Sequence, residues 1–210
     1  MTTYTFPAIA PNTTDLKIVS NVRGFRSPLT GFTQTASRQG TRWEMAHGFT
    51  SLEGEERAIM KAFTARMNGN VHRALIYDHS YHGARGALGG TPLVDGAGQT
   101  GETLDVKGMS NNITGIFKAG DYFSFLNANG NYELKMILTD ANSNGSGLVT
   151  VTFSPEIHHS PADEAAIVTT NPAGTFMLAT AEAAWSNRPA GNATNPIHSD
   201  FSIDWIEDIA

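Results

Sequence analysis

Asp78, His79 and His82 come closest in this sequence to a metal-binding set, with two imidazoles and a carboxylate inside five residues. Zinc takes three or four ligands in fixed geometry, and no further ligand stands at a recognisable spacing, so a polar turn leaving a strand accounts for the trio. His158 and His159, which follow Pro155, are read the same way. Carboxylate pairs occur at Glu55 with Glu56, Asp163 with Glu164 and Glu207 with Asp208. They fall at a helix start, in a loop and at the chain end, where solvated charge is the ordinary state, and none has the spacing glycoside chemistry requires. A nucleophilic site has no Gly-x-Ser-x-Gly elbow and no cysteine to rest on. The glycines of GALGGTPLVDGAG lack the Lys-Ser/Thr ending of a phosphate loop and predict a flexible connection. No catalytic residue, metal ligand or cofactor-binding residue is assigned, and the chain is read as a non-enzyme.

The elements that would position any site begin with the stretch from Leu29 to Asp78. Ile59, Phe63 and Met67 fall on one face of a helix predicted over Glu53 to Met67, roughly 22 Å long, with Arg57, Lys61 and Thr64 on the rest. Glu55 and Glu56 in its first turn and Arg66 near its end suit the helix dipole, and Gly69 is a left-handed stop. Two starts are open: Thr50 with Glu53 as a capping box, or Glu53 itself. Before the helix, the turn signal Gln39-Gly40 separates two extended arms that read as a long hairpin, with Leu29, Phe32 and Trp43 apolar among polar neighbours. Such a hairpin has too little apolar surface to stand alone, so the rest of the chain or another subunit must cover it. After the helix, Ala74 to Tyr77 reads as a buried strand.

Residues 1 to 15 predict an extended arm that orders on a neighbour, and Leu16 and Ile18 begin a first strand. A boundary is placed in the glycine-rich stretch between 84 and 100, which divides the chain into residues 1–90, an α+β unit, and 91–210, a β-sandwich or β-barrel; the C-terminal strand is a candidate to complete the first unit. In the second, Tyr132, Leu134, Met136 and Leu138 alternate with Glu133, Lys135 and Thr139; Val149, Val151 and Phe153 with Thr150, Thr152 and Ser154; and Phe201, Ile203 and Trp205 with Ser202 and Asp204. One face of each is predicted core. Phe176 and Leu178 mark a further strand ahead of a polar loop from Asn187 to Ser199. The fold class is mainly β with one α-helix.

The chain has 210 residues, 16% of them charged, 21 glycines, no cysteine and a formal net charge of -6. Glycine with Thr, Ser and Asn in place of Lys and Glu suits strands and turns. No basic run exists to neutralise phosphates, which argues against specific nucleic-acid binding. Disulfide frameworks and thiolate metal sites are excluded. The N-terminus has no basic segment with an apolar core of signal-peptide length and no span approaches a membrane helix, so the protein is expected to fold in a reducing cytoplasm. The sequons at Asn12, Asn112, Asn144 and Asn192 are then chance.

FRSPLTGFTQTASRQGTRWEM followed by EERAIMKAFTARMNGNVHRALIYD resembles the N-terminal half of distal tail and tail-tip proteins of long-tailed, siphovirus-like bacteriophages. The shared features are a hairpin with Trp43 near the end of its second arm, a helix with the pair Ala62-Phe63, then Gly69, then a strand ending in Tyr77-Asp78. FKAGDYFSF, YELKMILTDANSNGSGLVTVTFSP and TFMLAT resemble the β domain that follows. The resemblance implies a structural virion protein, usually a homohexamer, whose ring joins the tail tube to the tail tip or baseplate. Its partners would be tail tube, tail hub and tape-measure proteins, and its location the virion tail after assembly in the host cytoplasm. A neighbouring copy would then cover the hairpin, with Leu29, Phe32, Gln34 and Arg38 as candidate subunit-interface residues. Six copies at -6 each carry -36, and a negative lumen would let DNA pass without sticking. Two other classes are open on the sequence: a carbohydrate- or receptor-binding β module using Trp185 or Tyr81, and a small hydrolase.

Overall fold

The computed structural model describes residues 1–188 and 197–210, so the sequon at Asn192 and most of the expected polar loop lie outside the described residues. The protein is mainly β with a single α-helix among the described residues. In chain order the elements are β1 (Thr3–Thr5), β2 (Thr13–Val19), β3 (Val22–Arg26), β4 (Thr33–Ser37), β5 (Arg42–Leu52), α1 (Gly54–Arg66) and β6 (Arg73–Tyr77). They continue with β7 (Gly90–Val94), β8 (Gly101–Met109), β9 (Tyr122–Leu126), β10 (Tyr132–Ile137), β11 (Val149–Ile157), β12 (Ile167–Val168), β13 (Ala173–Leu178), β14 (Trp185–Arg188) and β15 (His198–Glu207).

Strand pairing sorts these into three bodies. The larger sheet runs β1-β6-β13-β15-β5-β2, with β14 also on β15. A second sheet runs β12-β9-β10-β11-β8-β7, and a bridge between Leu93 and Ala166 brings its two ends together into a nearly closed barrel. Among the described residues, β3 and β4 pair only with each other. β13 and β14, grouped above with the second unit, pair instead into the first sheet, and β15 joins that sheet as the candidate C-terminal strand, so the barrel is an insertion between β6 and β13. A strand is assigned by which edge it completes, and the alternation of Phe176, Leu178 and β15 says only that one face is buried.

The helix packs on the inner face of the larger sheet. Met60, Phe63 and Thr64 are its buried positions, the C-cap residue Met67 is buried too, and Ile59 is 41% exposed, so the buried stripe starts one residue later than predicted. The series 60, 63, 64 and 67 follows the i, i+3, i+4, i+7 rule more fully than one anchored on Ile59. Buried Thr64 is satisfied within the helix, its hydroxyl donating to the Met60 carbonyl at 2.8 Å. Glu53 is the N-cap without a side-chain cap bond, and the chain leaves at Asn68 and Gly69, both at positive φ. A Cβ on Gly69 would stand 2.8 Å from the Ala181 carbonyl oxygen, so no larger residue fits.

Three other expectations change. The N-terminal arm orders on its own chain: β1 pairs parallel to β6, and Phe6 and Ile9 are buried in the first core, because the inner face of the sheet offers them apolar cover. The glycine-rich stretch is not a flexible connection; β7 is a barrel strand, and the Asp121 carboxylate accepts the backbone N–H groups of Arg85, Gly86 and Lys118. The hairpin is also re-registered. Its arms are β3 and β4, Val22 faces Ser37 and Arg26 faces Thr33, while β5, the expected second arm, pairs with β2 and β15. Met45, Phe49 and Trp43 draw β5 into the core, and a strand with that much buried apolar surface is stabilised more by a sheet than by a two-stranded ribbon.

β10 faces both cores. Leu134 belongs to the core of the larger sheet and Ile137 to that of the barrel. Glu133 and Lys135, expected in solvent, are 1% and 0% exposed and paired at 2.8 Å, while Leu138 is exposed. Glu207 and Asp208, expected as solvated charge at the chain end, are also buried, since β15 sits in the middle of the sheet and ends against the barrel.

Candidate functional site

Three strands of the described structure are exposed at every position, β3, β4 and β14; β14 is anchored along β15, whereas β3 and β4 form a ribbon of their own. The tip that joins its arms is ordered by short-range bonds. The N–H of Ser27 donates to the Phe32 carbonyl at 2.8 Å and that of Gly31 to the Ser27 carbonyl at 2.9 Å, with Gly31 at φ 71°. Pro28 and Gly31 are turn residues for different reasons, a fixed φ and a free one. The turn holds Leu29 and Phe32 outward, 95% and 78% exposed.

Gln34 lies in β4 opposite Phe25 of β3, and Arg38 follows the ribbon, its N–H donating to the Asn21 carbonyl at 2.9 Å. Leu29, Phe32, Gln34 and Arg38 are all exposed and lie along one projecting element. Phe25, 64% exposed, was missed because β3 was not expected to be an arm. Strand alternation places it on one face with Arg23, Gln34 and Ala36. Burying Phe25, Leu29 and Phe32 would contribute about 1.5 to 3 kcal/mol each. Arg23, Arg26 and Arg38 give the segment 20–40 a charge of +3 with no acidic residue, so the remainder of the -6 chain carries -9. The missed signal was the run without Asp or Glu between Asp15 and Glu44.

The foot of the ribbon is fixed to the barrel. Glu156 on β11 accepts the N–H of Gly40 at 2.7 Å and that of Thr41 at 3.3 Å. Burial pushes this carboxyl up, but those N–H groups outweigh it and hold it below its ordinary range. Next to it lies a buried polar cluster that the sequence did not reveal. Glu133 accepts from Asn127 and from the backbone N–H groups of His158 and His159 at 2.8, 3.1 and 2.9 Å, and Lys135 donates to the Glu156 carbonyl at 2.7 Å. Glu207 accepts the Trp43 N–H at 2.9 Å, its second oxygen has no partner, and burial raises its pKa to about 7. The Trp43 indole donates to the Leu134 carbonyl at 2.8 Å. These groups join the two cores rather than opening to a substrate.

The other residues weighed for chemistry have structural surroundings. Asp78 caps its own turn through the N–H and hydroxyl of Ser80, at 2.8 and 2.6 Å. His79 stacks on Tyr77 at 4.3 Å and meets the edge of buried His47 at 5.3 Å, and burial holds the pKa of His47 down at about 4. Asp163 and Glu164 share Lys107 at 3.0 and 3.6 Å. Tyr81 packs edge-on to Tyr122 at 5.1 Å; Trp185 has Phe201 at 6.1 Å and the Lys61 ammonium over its ring at 5.5 Å. Among the described residues, no three His, Asp or Glu side chains are grouped so as to hold a metal ion, and no helix is long and apolar enough to cross a membrane. No protein-family model matches the chain, and a search of curated proteins returned no match.

Proposed function

We propose that this protein is a structural component of a long-tailed bacteriophage virion. Copies of it form a ring, usually of six, at the distal end of the tail, join the tail tube to the tail tip or baseplate and leave a channel for DNA. The observation that carries the reading is the bare ribbon: two strands and their tip with four exposed apolar side chains, Val22, Phe25, Leu29 and Phe32, and no other strand paired along it among the described residues. An isolated two-stranded ribbon is marginal in water, and open edges with exposed apolar side chains are the features proteins otherwise suppress unless a partner meets them. The resemblance of the sequence to tail-tip proteins supplies the kind of assembly, with tail tube, tail hub and tape-measure proteins as neighbours.

The test is native mass spectrometry together with negative-stain imaging of the purified protein. The reading predicts a closed ring with a central opening. A protein that stays monomeric through the micromolar range contradicts it. Acidic side chains are expected along the opening, where they would repel DNA phosphates, and a basic wall would remove that part of the account.

A further inference from the structure

The outer face of the larger sheet has a groove across β2, β5 and β15. The strand registers align Asp15 with Ala46 and Ala46 with Asp204. Two carboxylate-bearing residues therefore flank an alanine on the solvent side, their backbones about 9.5 Å apart at two strand spacings. The cleft between them has a volume of about 380 Å³, and Ala179 also lines it. In the next row Glu44 is already paired, with Lys17 at 3.0 Å and Arg42 at 3.4 Å. Among the described residues, neither Asp15 nor Asp204 has a cation within ion-pair distance.

The ribbon is the complementary surface. The arginines that pair with carboxylates are Arg42, Arg73, Arg85 and Arg188. Arg23, Arg26 and Arg38 on and beside the ribbon have no such partner among the described residues. We propose that the ribbon of one copy lies in this groove of a second copy, with Arg23 between Asp15 and Asp204 and Phe25 over Ala46 and Ala179. A guanidinium has five N–H donors in a planar fork and takes a carboxylate on each edge, which a lysine ammonium does not do as well. The alanine between the two acids leaves the floor low enough for a side chain to enter. Ribbon and groove are different surfaces of one molecule, so the contact is head-to-tail, the kind that generates a ring when its rotation closes. The inference rests on the self-assembly reading above and adds which surface receives the ribbon.

The experiment compares the full-length wild type with two variants by native mass spectrometry, each alone and then mixed one to one. One variant carries Asp15→Lys with Asp204→Lys, and the other Arg23→Glu with Phe25→Ser. Each variant alone is expected to self-associate at least tenfold more weakly than the wild type. Mixed, they form a heterodimer and no larger species, because such a pair holds one intact ribbon and one intact groove. Assembly of the Asp15/Asp204 variant at wild-type concentrations overturns the groove and leaves self-assembly standing, as does a mixture that stays monomeric. A monomeric wild type overturns both. If the lysine variant does not fold by circular dichroism, Asp15→Asn with Asp204→Asn replaces it, and wild-type assembly by that variant overturns the groove in the same way.

Discussion

The ribbon and the junction between the two cores both place polar and charged side chains where a sequence reader would not expect them, and they treat those side chains in opposite ways. At the junction Glu133 and Lys135 are wholly withdrawn from water and bonded to one another and to four further groups of the same chain. On and beside the ribbon three arginines without an ion-pair partner among the described residues stand with four exposed apolar side chains, Val22, Phe25, Leu29 and Phe32. The difference teaches where intramolecular satisfaction ends. A buried ion needs its partner within the fold, because an uncompensated charge there is strongly destabilising, whereas an exposed arginine and phenylalanine are tolerated until a second surface arrives.

That contrast is most open to challenge at Lys135. Lys135→Ala leaves Glu133 buried with its main counter-charge gone and is expected to lower the unfolding free energy by about 3 to 5 kcal/mol, measured by urea denaturation. A loss below about 1 kcal/mol would mean that the junction is wetter and more adaptable than described.

Proton linkage sharpens the same point with a somewhat smaller effect. Glu207 has its folded pKa raised to about 7 from 4.5 by burial, so the folded state binds more protons than the unfolded chain between those values. Its contribution is therefore present below pH 4.5 and lost as pH rises to 7, on the order of 3 kcal/mol in all. His47 acts in the opposite sense. Burial lowers its pKa from 6.5 to about 4, so its contribution is present above 6.5 and lost as pH falls to 4. The two slopes offset each other between about pH 4.5 and 6.5. Glu207→Gln is expected to expose a stability that rises with pH across that window, and His47→Phe one that falls, both followed by denaturant midpoints.

The smallest effect on folding is expected at the ribbon tip. Leu29→Ser with Phe32→Ser touches side chains that are 95% and 78% exposed among the described residues, and should change the stability of the monomer by less than about 0.5 kcal/mol. The same variant should associate at least tenfold more weakly in sedimentation. A large loss of monomer stability with unchanged association would reverse the contrast.

The mainly β class with its lone helix was legible because Val149, Val151, Phe153 and Phe201, Ile203, Trp205 alternate cleanly and because the helix has charges and a stop residue in the right order. The exposure of Leu29 and Phe32 was legible from their polar neighbours, although the turn was expected at Gln39-Gly40 and Trp43, grouped with them, is buried. The pairing of β5 was not. A glutamine-glycine turn signal is local, while the partner of Glu44 and Met45 is set by β15, more than 150 residues later in the chain. The burial of Glu133, Lys135 and Glu207 was equally hidden. Charged residues at alternate strand positions ordinarily mark the wet face, and only the barrel and sheet closing over both faces of β10 inverts that rule.

Amide hydrogen exchange across residues 22–37, followed from dilute to concentrated protein, tests most directly whether the ribbon is completed by another copy. The account predicts fast exchange of the outward amides in dilute solution and strong protection once assembly sets in, while the junction strands β10 and β15 stay protected throughout. Ribbon amides that exchange equally fast at every concentration would contradict it.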